Sequence, residues 1–113
     1  MANILVIDDT VEYARILKRK FTKKGNTVTL AHSGKEGLSK LSDSLDVVLI
    51  DYNMPGMNGY EFTQKVRDDS RYDHIPMIGI GDFPKDKREY LQDCRTKSDV
   101  DQLDFLLSLD VLN

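Results

Sequence analysis

Several things are scarce in this sequence, and each scarcity excludes something. Cys94 is the one cysteine among 113 residues. No disulfide can close within the chain, so stability must come from a buried core, as in a reducing compartment, with Cys94 a small buried or half-buried filler. No apolar run approaches the ~18 residues that span a bilayer, and Met1-Ala2-Asn3-Ile4 leads straight into a strand pattern without signal-peptide features. A cytoplasmic protein with no membrane association is expected. Positive charge is not in surplus either: 16 Lys and Arg against 19 Asp and Glu give a net charge of −3. Phosphate backbones are gripped by such a surplus, so no direct nucleic-acid binding is expected. The longest basic cluster, Lys18-Arg19-Lys20 with Lys23-Lys24, falls among apolar helix positions and reads as a solvated outer face. Repeats, low-complexity tracts and linkers are missing too, and the length suits one domain, 1–113, with one core.

What is present alternates between strand and helix. Asn3 to Ile7 is a short, branched, apolar run ending in two aspartates, as expected of a buried parallel strand. Val11, Ala14, Leu17 and Phe21 then follow helical spacing, and Gly25-Asn26 stops it. Thr27 to Ala31 reads as a second strand, and Ser33-Gly34-Lys35-Glu36 as a capping box for a helix presenting Leu38, Leu41 and Leu45. Asp46 to Asp51 is the clearest strand. Turn formers from Met54 to Gly59 precede a helix carrying Phe62 and Val66, and Pro76 introduces a fourth strand, Met77 to Gly81. Pro84 to Leu91 allows about two helical turns, Cys94 to Thr96 a weak fifth strand, and Leu103, Leu106, Leu107 and Val111 a final amphipathic helix. This alternation predicts an α/β fold with a parallel sheet and helices on both faces.

In such a sheet, ligands bind beyond the carboxyl ends of the strands, where strand order reverses. Asp8 and Asp9 end the first strand and Asp51 the third. In the flavodoxin-like order these strands flank that switch point, so the carboxylates can converge. Two carboxylates ~4 Å apart repel by about 4 kcal/mol at an effective dielectric of 20, so the cluster must raise a pKa or recruit a cation. An all-oxygen site suits Mg²⁺, the usual companion of a phosphoryl group. Asp51, alone at a central strand end, is the expected nucleophile for an aspartyl-phosphate, and the Asp8–Asp9 pair the metal side. Aspartates also cap helices and open turns, and Asp9-Thr10 ahead of a helix would do so by itself.

These residues resemble the receiver domain of bacterial two-component response regulators. The likeness rests on Ile4-Leu5-Val6-Ile7-Asp8-Asp9, on Asp46-Val47-Val48-Leu49-Ile50-Asp51, and on the run from Tyr52 through Asn53-Met54-Pro55-Gly56-Met57-Asn58-Gly59. It implies a flavodoxin-like, doubly wound five-stranded parallel sheet of order 2-1-3-4-5. It also implies a phosphorelay role: Asp51 accepts a phosphoryl group from the phosphohistidine of a histidine kinase or phosphotransfer protein. Mg²⁺ would be held by the side chains of Asp9 and Asp51, by the backbone carbonyl of Asn53, and by Asp8 directly or through water. Lys97 would pair with Asp51 or its phosphate. Such a protein is no enzyme beyond taking up and losing its own phosphoryl group, and its output partner is unnamed.

Departures from the family pattern accompany the matches. Gly81 stands where the family has a switching Thr or Ser, and Asp82, an anion, follows it. The stretch between Gly81 and Lys97 predicts a shortened fourth helix; Ser98 replaces the proline after the lysine, making a cis bond there unexpected; and Cys94 takes the place of an aromatic switch residue. The expectation is that phosphate acceptance survives while the switching relay is altered. A phosphorylation-independent interaction module is the alternative. A haloacid-dehalogenase-type phosphatase would want a carboxylate where Asn53 stands, and Asp8 and Asp9 would repel a flavin phosphate. His32 and His74 are read as surface or loop residues far from the site, Met54 and Met57 as packing, and Tyr52 with Phe83 as possible limits on water access. No output domain is expected within these 113 residues, which fits a stand-alone receiver or a part of a larger protein.

Overall fold

The computed structural model describes residues 1–100 and 105–106. Strands β1 (Asn3–Ile7), β3 (Val47–Asp51) and β4 (Met77–Ile80) are the apolar runs of the sequence and are buried almost throughout. Strands β2 (Thr27–Ala31) and β5 (Asp93–Arg95) carry more polar residues, and they form the edges. All pairings are parallel, in the order β2-β1-β3-β4-β5. This is the expected sheet. Successive strand residues point to opposite faces, so each central strand feeds two cores, where the chain length had suggested one. Ile4, Val6, Val47 and Leu49 face helix α1 (Val11–Lys23), meeting Leu17 and Phe21. Leu5, Ile7, Val48 and Ile50 face the other side, where Phe62 and Val66 of α3 (Gly59–Arg67) cover them.

Several local expectations need correction. Val11 is exposed, and the inner face of α1 is Ala14, Leu17 and Phe21; the basic residues Lys18, Arg19, Lys23 and Lys24 are exposed as expected. Helix α2 (Gly34–Ser39) ends before Leu41 and Leu45, which still pack into the α3-side core from the following loop. The capping box is half formed there: Ser33 Oγ accepts from the N–H of Glu36 at 3.0 Å, but the Glu36 carboxylate takes the N–H of His32 instead of Ser33. That hydrogen bond holds the Glu36 carboxyl below its usual pKa. A complete box, unread in the sequence, opens α3, where Asn58 and Glu61 bond each other's backbone N–H. Strand β3 begins one residue later than expected, β4 ends one residue earlier, and β5 is shifted back by one.

The connection from β4 to β5 contains a single 3-10 turn, Lys85–Lys87, in place of two helical turns. Between its apolar residues Phe83 and Leu91 the run Lys85 to Glu89 is wholly charged, which leaves a helix no continuous apolar stripe. Instead both fold over Gly79, where a Cβ would sit 2.8 Å from Leu91 and 2.9 Å from Phe83. Phe83 is buried and also fills the space above Gly59. Tyr60 stacks on Tyr90 at 5.9 Å, which ties this connection to α3. The final helix expected on Leu103, Leu106, Leu107 and Val111 lies largely outside the described residues; Phe105 and Leu106 are buried against the α1-side core. A short α4 (Lys97–Val100) begins at Lys97 itself. No described peptide bond is cis. No helix among the described residues is long and apolar enough to cross a membrane.

Candidate functional site

Strand register builds the site. Ile7 pairs with Ile50, so the next residues, Asp8 and Asp51, stand side by side at the carboxyl edge of the sheet. Asp9 follows as the chain turns into α1. Oxygens of Asp8, Asp9 and Asp51 lie within 4.8 Å of one another. Lys97 reaches over from beyond β5, its Nζ 3.0 Å from Asp8 Oδ2 and 3.8 Å from Asp51 Oδ2. It was expected to pair with Asp51, and its nearer partner is Asp8. The ammonium also sits 4.7 Å from the ring centre of Tyr13 on α1.

The two central carboxylates are held differently. Asp8 is wholly buried. Its Oδ1 accepts from the N–H of Thr10 at 2.9 Å, while Oδ2 has the Lys97 charge nearby but no hydrogen bond of good direction. A buried carboxylate oxygen left this way is costly and suits a cation with free coordination positions. Asp51 is also buried, with Oδ1 accepting from the N–H of Tyr52 at 2.9 Å. Burial first, and then the charge of Asp8, push the Asp51 carboxyl up to about 6, against the opposing pull of Lys97 and of the Tyr52 N–H. Burial, reinforced by the neighbouring carboxylates, sets the direction.

A cavity opens onto this cluster, lined by Asp9, Thr10, Asp51, Asn53, Gly81, Asp82 and Lys97. Of the residues singled out in the sequence for the site, Asp9, Asp51, Asn53 and Lys97 line this cavity, and Asp8, wholly buried, joins them through the carboxylate cluster. Tyr52 and Phe83 do not line the cavity, contrary to expectation: their rings meet each other at 5.1 Å, and Phe83 points into the core. His32 is not remote, since its Nδ1 lies 3.1 Å from the backbone oxygen of Asp8. His74 is remote, bonding the Asp43 carbonyl. Sequence reasoning missed Thr10 and Tyr13, neither of which carries a motif. Cys94 is half-buried, with Sγ 3.9 Å from the Gly81 carbonyl and its thiol pKa raised by burial.

Gly81 deserves its place for a backbone reason. Its φ is +106°, a left-handed conformation, and a Cβ there would meet Asp51 Oδ1 at 3.0 Å. A side-chain hydroxyl is excluded by conformation as well as by sequence.

The model of the response regulator receiver domain matches residues 4–103. The chain belongs to this family. Among curated relatives, CheY1 of Helicobacter pylori is 41% identical over 80 residues, covering 68% of this chain and 64% of that protein. PleD of Caulobacter vibrioides is 38% identical over 80 residues, 70% of this chain and 18% of PleD. The chain thus spans less than two thirds of either relative. Among solved structures, this receiver resembles CheY4 of Vibrio cholerae with a TM-score of 0.79 at 28% identity, covering 95% of this chain and 93% of that one. TrrA of Thermotoga maritima, solved with Mg²⁺–BeF, has a TM-score of 0.74 at 23% identity, covering 85% and 86%, a likeness of fold.

Proposed function

We propose that this receiver is a phosphoacceptor in a two-component phosphorelay, taking a phosphoryl group onto Asp51 from the phosphohistidine of a histidine kinase or phosphotransfer protein. The observation that carries this reading is the meeting of three carboxylates and Lys97 at one strand edge, with one buried oxygen of Asp8 lacking a hydrogen bond. That donor set suits Mg²⁺: Asp9 and Asp51 would hold it through side chains, Asn53 through its backbone carbonyl, and Asp8 directly or through water. When bound, the cation offsets repulsion between anionic donor and acceptor and steadies charge on the transferred group. The Tyr52 N–H occupies Oδ1 of Asp51 and fixes the carboxylate plane, which leaves Oδ2, on the Lys97 side, to attack phosphorus. The P–N bond of the donor breaks and its electron pair returns to the imidazole. Lys97 is placed to neutralise the new phosphoryl oxygens once Asp51 no longer carries the charge. The setting proposed is cytoplasmic, the output partner is another protein, and no separate substrate is turned over.

Incubation with acetyl phosphate and Mg²⁺ tests the reading. Intact-mass analysis under acid conditions is expected to show the gain of one phosphoryl group, lost in Asp51→Asn. An unchanged mass in the native chain refutes it. The conformation of Gly81 favours a second reading, a module that binds partners regardless of phosphorylation. Partner capture that is identical for the native chain and Asp51→Asn, with and without donor, would support that one.

A further inference from the structure

Two neighbouring residues of the cavity wall have no part in accepting a phosphoryl group. Gly81 has a φ of +106°, and a Cβ there would meet Asp51 Oδ1 at 3.0 Å, so the wall beside the acceptor is bare backbone without a side chain. Asp82 comes next; it is exposed and lines the same cavity as Asp51, Asn53 and Lys97. An ionised carboxylate has no hydrogen to donate to a phosphoryl oxygen and repels it. It does accept hydrogen bonds from water. A carboxylate exposed in the wall of a phosphorylation pocket is therefore suited to losing the group, not to gaining it.

We propose, resting on the phosphoacceptor reading above, that Asp82 orients and deprotonates the water that hydrolyses the acyl phosphate on Asp51. The water oxygen attacks phosphorus from the cavity side. The bond between phosphorus and the Asp51 oxygen breaks, and its electron pair restores the Asp51 carboxylate. The proton of the attacking water passes to Asp82 and then to solvent, and inorganic phosphate leaves. Lys97 stays on the acceptor side, so attack and departure are served by different groups. This receiver would then reset quickly without help from a second protein.

The test is the lifetime of the phosphoryl group in the full chain. Protein labelled from radioactive acetyl phosphate with Mg²⁺ is freed of donor, and release of inorganic phosphate is followed. Asp82→Asn and Asp82→Ala are expected to slow release about 10- to 100-fold, at or below the low end for a positioned general base. Asp82→Glu, which keeps the carboxylate, is expected to restore most of the native rate, a recovery that a purely structural role would not give. A higher steady level of label in the Asp82 variants than in the native chain also supports the proposal. Release at the native rate in Asp82→Asn, or slowing that Asp82→Glu does not reverse, overturns it. Failure of every variant to take label overturns the phosphoacceptor reading and this inference together, whereas normal labelling with an unchanged lifetime overturns this inference alone.

Discussion

Replacing Asp51 by Asn should make the metal-free protein more stable, by an amount that depends on pH. The Asp51 carboxyl is raised from an ordinary value of 3.8 to about 6 by burial and by Asp8. A shift of roughly two units corresponds to about 3 kcal/mol between the protonated and charged forms. The sign follows from which state binds the proton more tightly. The folded chain does, so it bears no penalty below the unfolded value of 3.8. The penalty grows as pH rises from there towards 6, and it is complete above that. Asparagine has nearly the same shape and is neutral throughout. The stability gap between Asp51→Asn and the native chain should therefore be close to zero at pH 3.8, about half developed near pH 5 and about 3 kcal/mol at pH 7.5. For a domain of this size that is a rise in Tm of ~10 °C. Urea and thermal unfolding in EDTA from pH 3.8 to 8 would measure it. Adding Mg²⁺ should narrow the gap, because the native chain gains more from the cation. A variant that is equally stable or less stable at pH 7.5 in EDTA, or a gap that does not vary with pH, would refute the electrostatic account.

Other substitutions probe the remaining parts of the site and its support. Lys97→Met removes the charge beside buried Asp8; because Lys97 is partly exposed, a loss of about 1–2 kcal/mol is expected in EDTA, with tighter Mg²⁺ binding by titration as a competing cation disappears. Gly81→Thr should not rebuild a switch: its φ of +106° and the 3.0 Å approach to Asp51 predict a cost of about 1–3 kcal/mol, read as a lower urea midpoint. Phe83→Ala empties the space above Gly59 and Gly79 and should cost about 3–5 kcal/mol, with hydrogen exchange rising first across 84–91.

The sheet and the acidic cluster were legible because parallel strands buried on both faces leave continuous apolar runs, and Asp8, Asp9 and Asp51 stand at the ends of two of them. Strand boundaries held to within one residue. The missing detail came from contacts between segments far apart in the chain. Nothing in the sequence around Lys97 marks Asp8 as its nearer partner, since that depends on how β5 is placed against β4. Helix α2 stops early although Leu41 and Leu45 continue an apolar pattern, because loop residues also reach that core. Phe83 looked like a wall of the site and is a core residue, because the glycines at 59 and 79 leave room for its ring.

That ring ties three distant positions into a single unit of inheritance. A lineage that trimmed Phe83 to a smaller side chain would relieve one of the two neighbours crowding position 79, so alanine could enter there once Leu91 gave way as well. Position 59 would gain no such freedom, because a Cβ there also runs into the Asp51 carbonyl and the Tyr52 backbone. Among relatives of this chain, residues 79, 83 and 91 should drift together while 59 stays fixed.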